Sequence, residues 1–215
     1  MQQSPKVHDV FQRGLKRGAI RMPYDPAKRY FYVEHPTEGW RVFLRACCFI
    51  HEKPAAGAAI DPMKFAVVKR AYANPATAAW EPPKGQMEGK DGLRNPSDSI
   101  IKILKGNMRR EVDEEARIRR LENMNYTGLV LEGVEKDYPP NTFFQYHIFR
   151  AVVTPTEFRH ASEELLWCRE HPDAFARLKR DKREKDDIAW FSPSETKMMG
   201  KWSPSIVAMY LKEFA

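Results

Sequence analysis

The chain has 215 residues, 42% of them hydrophobic and 30% charged, with a formal net charge of +7. That length suits one large domain, or one domain with additions, and the apolar content suffices for a core, while a mean hydropathy of -0.62 and a pI near 9.3 point away from a membrane span and toward a polyanionic partner such as a nucleotide, RNA or an inositol phosphate. Cys47, Cys48 and Cys168, an odd count without a spaced pair, argue against a disulfide framework and against a zinc site. No run approaches the roughly 18 apolar residues of a spanning helix. Met1 to Pro5 is polar and not followed by an apolar segment, so we expect an intracellular, reducing, cytoplasmic setting.

Residues 1–39 are basic, with Arg13, Lys16, Arg17, Arg21, Lys28 and Arg29, and show no clear period; they read as an N-terminal extension, either packed on the domain or an arm for a polyanion. Residues 40–51 form an apolar run rich in β-branched and aromatic side chains, the pattern of a buried strand. After a loop at 53–62, residues 63–71 predict a second strand, antiparallel to the first. Asn95-Pro96 has the form of a helix start, with Asn as cap and Pro at the first helical position. Ile101, Leu104, Met108 and Val112 follow at helical spacing, with a weak point at Gly106-Asn107. Residues 126–134 and 142–153 predict a hairpin whose turn spans 137–141. The charged stretch 154–187 predicts a solvated helical insertion, densest over 174–185. Residues 188–191 read as a short strand, and Ser203-Pro204 as the cap of a last helix carrying Ile206, Val207, Tyr210, Leu211 and Phe214 on its apolar face.

The chemistry concentrates at Arg110-Glu111-Val112-Asp113-Glu114-Glu115. At about 100° per residue, Glu111, Glu114 and Glu115 share an arc of about 100° at the edge of the buried stripe, and Asp113 points elsewhere. Like charges at Glu111 and Glu115, four residues apart, destabilise a helix by a few tenths of a kcal/mol. A divalent cation with a preference for carboxylate oxygen, Mg²⁺ or Mn²⁺, would offset this and bridge to a phosphate. Six residues of this kind also suit an ordinary charged helix face.

The loop upstream, Trp80-Glu81-Pro82-Pro83-Lys84-Gly85, adds to the helix. Together they resemble the Nudix hydrolase signature, in which Gly, five residues, Glu and seven residues precede Arg-Glu-aliphatic-X-Glu-Glu-X-Gly-aliphatic. Gly85 matches the first position, Asp91 stands where the first Glu is expected, and Arg110, Glu111, Val112, Glu114, Glu115 and Ile118 match the second half. The Trp80 and Pro83-Lys84-Gly85 lead-in is similar to that of Nudix enzymes acting on dinucleoside polyphosphates, capped RNA and diphosphoinositol phosphates. Three positions depart from the pattern: Asp91 replaces Glu, eighteen residues stand between Asp91 and Arg110 where the signature has seven, and Arg117 replaces the helix-ending Gly.

The resemblance covers residues 40–214 and implies an α/β fold, a Nudix-type α/β/α sandwich with a mixed β-sheet. It implies a metal-dependent pyrophosphohydrolase that uses Mg²⁺ or Mn²⁺. Glu111, Glu114 and Glu115 would hold metal with a backbone carbonyl at Gly85, Glu111 would also activate water, and Arg110 would position the catalytic Glu. Many members add an acid before the late Trp, which makes Glu184, Asp186 and Asp187 candidates here, with Glu132 and Glu135 weaker ones. Lys84 could meet a phosphate, and Trp80 or Tyr72 could stack a base; His147 reads as structural. The implied partner is a phosphorylated small molecule or an RNA 5′ end, with large polyanions favoured, and the oligomeric state stays open. The alternative is a Nudix-fold module that binds a nucleotide or RNA without turnover.

Overall fold

The computed structural model describes residues 7–74, 77–135 and 138–215. Met1 to Pro5, and Asp137 of the expected hairpin turn, lie outside the described residues. In chain order the strands and helices are β1 (Lys16–Met22), β2 (Asp25–Glu34), β3 (Arg41–Glu52), β4 (Ala66–Arg70), β5 (Trp80–Glu81), β6 (Lys84–Gln86), α1 (Gly89–Leu93), α2 (Ile100–Ala116), β7 (Glu122–Gly133), β8 (Thr142–Val153), α3 (Pro155–Glu170), α4 (Pro172–Arg177), a 3-10 turn (Arg180–Arg183), β9 (Lys185–Trp190) and α5 (Trp202–Phe214).

β3 is the spine. It runs parallel to β8 from Arg41↔Thr142 to Glu52↔Val153 and antiparallel to β2 and β6. A strand paired on both edges and covered on both faces is mostly apolar, which explains its hydrophobic run, interrupted at Arg45, whose guanidinium pairs with Glu135. Its side chains alternate between two cores. Val42, Leu44, Ala46, Cys48 and Ile50 meet Leu104, Met108 and Val112 of α2. Cys47 and Phe49 meet Ile206, Val207 and Tyr210 of α5, with Phe49 and Tyr210 stacked at 3.6 Å between ring centroids. The main sheet has the order β1-β2-β3-β8-β7 with β6 added to β3, and β5-β4-β9 form a smaller sheet. β4 divides in the same way, Ala66 and Val68 toward α2, Val67 toward α5. The result is an α/β/α sandwich on mixed strands.

Several expectations are corrected. Residues 16–34 are two strands of the main sheet, not an aperiodic arm: Tyr32, Val33 and Glu34 pair with Phe43, Val42 and Arg41. β4 does not join the ladder of β3: Phe65, just before it, makes one antiparallel bridge to His51, and β4 itself pairs in the smaller sheet. The long helix starts at Ile100, where Ser99 Oγ accepts from Lys102 N–H; Asn95 instead closes a turn, its carbonyl accepting from Asp98 N–H at 3.1 Å. Of one long helix or two meeting at Gly106-Asn107, the structure has the first, α2 running through both residues. The charged stretch 154–187 is not one solvated insertion: α3 buries Ala161, Leu165 and Cys168, and 174–185 divides between α4 and the 3-10 turn. Ser203 lies inside α5, where its hydroxyl donates to Glu81 Oε2 at 3.2 Å, and Lys201 stands at the cap.

Arg117 ends α2 in the left-handed region, φ 60°, ψ 14°. This backbone costs an ordinary residue about 1 kcal/mol or more relative to Gly. Its side chain, 1% exposed, offsets that by donating to the carbonyls of Glu114 and Lys182 and pairing with Glu164 at 3.4 Å.

Candidate active site

The site forms where β6 passes the C-terminal turns of α2. Pro82 and Pro83 carry the chain out of β5, and the Pro83 carbonyl accepts from Cys48 N–H at 3.0 Å, which fixes the loop to the spine. β6 then pairs with β3 through Cys47↔Lys84, Ala46↔Gly85 and Arg45↔Gln86. Gly85 lies flat against the Glu111 carboxylate: a Cβ on it would stand 2.0 Å from Glu111 Cδ. Here glycine is required by close approach and not by backbone conformation.

Arg110 gathers the acids of the helix. Its guanidinium lies 2.7 Å from Glu114, 2.9 Å from Glu111, 3.2 Å from Asp91 and 3.9 Å from Glu88. Asp91 reaches it despite the insertion because α1 folds back, with Glu88 N–H donating to Asp91 Oδ2 at 3.0 Å. Asn107 Nδ2 stands 3.3 Å from Glu111 and 3.5 Å from Asp91. Asp113 turns to Lys182 and Arg119, outside the set, as the wheel requires.

Glu115 belongs to a second group. Its Oε2 accepts from Lys84 N–H at 2.9 Å and its Oε1 lies 3.0 Å from Lys185 Nζ. Lys185 Nζ also contacts Glu81, and Glu81 pairs with Lys84 Nζ at 2.8 Å. Glu81 and Glu115 are each 4% exposed and Lys185 5%. Removing one partner from so buried a set strands a charge and costs about 3–5 kcal/mol.

The two groups differ electrically. Burial, reinforced by Glu115 and Glu114 and only partly opposed by Arg110, pushes Glu111 up to about 8. Burial also holds Glu114 and Glu115 above the usual carboxylate range. Burial acts on Glu81 in the same direction, but Lys84 and Lys185 reverse it, and Glu81 falls to about 2. Glu111 is therefore the carboxylate that lacks positive charge, and Glu81 the one fully supplied with it.

The donors offered to a metal are carboxylate oxygens, the hard ligands that suit Mg²⁺ or Mn²⁺. Asn107 Oδ1 is buried without a hydrogen-bond partner, and the Nδ2 of the same amide faces Glu111 at 3.3 Å. The Glu111 and Glu114 carboxylates fit a hard divalent cation. Glu115 fits less well, with both oxygens engaged, and among the described residues no group of three or more His, Cys, Asp or Glu is arranged to hold a metal ion.

The other expected residues spread out. Lys84 borders a cleft of about 480 Å³ with Gly85, Glu115, Lys185, Tyr146 and Trp202. Trp80 instead packs in the α5 core. Tyr72 is exposed and stands edge-on to Phe175 at 5.9 Å. Of the late acids, Glu184 borders the cleft, Asp186 accepts from Tyr72 N–H, and Asp187 pairs with Arg169 at 2.7 Å. Glu132 accepts from Gln145 at 2.6 Å, and Glu135 holds Arg45 at 2.9 Å. His147 is buried between Gln145 and Tyr126, and burial lowers it to about 3. Sequence reasoning missed Glu81, Glu88, Asn107 and Lys185. Glu81 lies within the quoted loop and was within reach; Lys185 was hidden in a charged run where nothing in the sequence sets it apart from its exposed neighbours.

No family model matches the chain, and no curated protein matches it. Among solved structures it is similar to a NUDIX hydrolase from Nitrosomonas europaea, at 16% identity over 80% of this chain and 87% of that one, with a TM-score of 0.43. An Ap4A hydrolase from C. elegans matches at 18% identity over 80% of this chain and 96% of that one, with a TM-score of 0.40. A mutT/nudix family protein from Listeria innocua matches at 15% identity over 80% and 91%, with a TM-score of 0.39. The chain is thus similar, at low identity and over four fifths of its length, to Nudix hydrolases.

Proposed function

We propose that the chain is a Nudix-type hydrolase that cleaves a pyrophosphate bond in a nucleoside diphosphate linked to another group. The observation that carries this reading is the Glu111 carboxylate, buried against Gly85 with too little positive charge around it, beside Glu114. Glu111 and Glu114 would hold a divalent cation, Mg²⁺ or Mn²⁺, with Glu115 completing the acidic edge. The cation, when bound, supplies positive charge to the pyrophosphate oxygens.

The chain's own residues supply the rest. Arg110 holds Glu111 and Glu114 in position while itself steadied by Asp91 and Glu88. Glu111, packed against Gly85 on the acidic edge of α2, is placed to orient an attacking water and, in its ionised form, to take its proton. Lys84 and the cleft beside it, with Tyr146 and Trp202, are suited to a phosphate and an aromatic group. The net charge of +7 favours large polyanions: capped or 5′-phosphorylated RNA, dinucleoside polyphosphates or diphosphoinositol phosphates.

A product-release assay tests this, with Mg²⁺ or Mn²⁺ and with EDTA, across those substrates, ADP-ribose and nucleoside triphosphates. Metal-dependent release from at least one supports the reading. Hydrolysis of none, together with salt-sensitive RNA retention, would replace it with the binding module.

A further inference from the structure

We infer that Lys185 is a resident cation of the site, taking the place beside Glu115 that a second divalent ion would need, so that the site loads one divalent cation, at Glu111 and Glu114. The inference rests on the metal reading above and specifies how much metal that site takes.

Charge balance carries it. In the group of Glu81 and Glu115, two carboxylates face two ammonium groups, Lys84 and Lys185. Each of their four oxygens is also engaged: Glu115 by Lys185 Nζ and Lys84 N–H, Glu81 by Lys185, Lys84 Nζ and Ser203 Oγ. No net negative charge and no unengaged oxygen remain there for a metal. The neighbouring group is different. Glu88, Asp91, Glu111, Glu114 and Asp181 face Arg110, Lys28 and Lys90, five carboxylates against three cations. With all five ionised, as metal binding requires of its ligands, two negative charges are left over, the complement of one divalent ion.

The fold holds Lys185 there. It is the first residue of β9, paired with Arg70 of β4 next to a register shift, and the carbonyl of Glu184 before it accepts from Ala71 N–H at 2.8 Å. A second metal at Glu115 would have to displace an ammonium group that is 5% exposed and strand it near Lys84. Glu115 accordingly anchors Lys185 and the Lys84 backbone and is not a ligand.

Mn²⁺ binding to the full chain without substrate, followed by the electron paramagnetic resonance signal of free Mn²⁺ and by calorimetry, tests this. The expected result is one Mn²⁺ per wild-type chain, lost in Glu111→Gln. Glu115→Gln should keep that Mn²⁺ with affinity changed less than about threefold. Lys185→Met, if it keeps its circular dichroism spectrum, should gain a second Mn²⁺, which Lys185→Met/Glu115→Gln should lose again. Two Mn²⁺ of like affinity on the wild type, a tenfold or greater loss of affinity in Glu115→Gln, or a folded Lys185→Met that still takes one, would overturn the inference and leave the hydrolase reading standing. No Mn²⁺ on the wild type would remove both.

Discussion

Replacing Glu111 with Gln should abolish function while making the metal-free protein more stable at alkaline pH. The substitution keeps the shape that packs on Gly85 and removes a charge that burial disfavours. A folded-state value of about 8 against an ordinary 4.5 corresponds to roughly 4–5 kcal/mol at ~1.36 kcal/mol per pH unit. Arg110 is already counted in that value; relaxation and water entry around the site offset part of it, which leaves a gain of about 1–2 kcal/mol. Because the acid's folded value is raised, its penalty is absent below the unfolded value, grows as pH rises from there to the folded value, and is complete above about 8. The melting temperature of Glu111→Gln should thus match wild type near pH 4.5 and exceed it by about 2–8 °C at pH 8.5, at roughly 2–4 °C per kcal/mol for a chain of this size. Mn²⁺ should raise the wild-type melting temperature and leave the variant unchanged. Scanning calorimetry in EDTA over that pH range is the measurement. A variant no more stable than wild type at pH 8.5 would refute the claim that Glu111 is short of positive charge.

Gly85→Ala should fold, since its strand conformation admits a side chain, but its Cβ would meet Glu111 Cδ at 2.0 Å; hydrolysis should fall by at least about tenfold with the melting temperature nearly unchanged, checked by kinetics and calorimetry together. Arg117→Ala should be less stable than Arg117→Gly by about 1 kcal/mol in urea titrations, because both lose the guanidinium contacts and only Gly adopts φ 60° without strain. Tyr210→Phe deletes the 2.7 Å hydrogen bond between its hydroxyl and the buried His51 ring and should cost about 1–2 kcal/mol by the same method.

The spine and α2 were legible because their physics is local. A mostly apolar run predicts a strand covered on both faces, and β3 has that role. The helical wheel separated Glu111, Glu114 and Glu115 from Asp113, and the separation holds in the side-chain contacts. The β1–β2 hairpin was not legible, because β1 has few buried positions and its charges mask the alternation. The cap at Ser99 was missed because Asn95-Pro96 carries the stronger local signal, and only the turn between them shows which one the helix uses. The division of the acids into two electrical groups was out of reach. It depends on Lys185, seventy residues beyond Glu115 in the chain and brought to it by β9.

The central claim is that Glu111 and Glu114 hold a divalent cation for pyrophosphate cleavage. The most direct measurement is single-turnover hydrolysis of an adenosine pyrophosphate ester by wild type, Glu111→Gln and Glu114→Gln, each titrated with Mn²⁺. The account predicts Mn²⁺-dependent cleavage by wild type and a loss of about 100-fold or more in both variants. Cleavage at the wild-type rate in either variant, or a wild-type rate indifferent to EDTA, would contradict it.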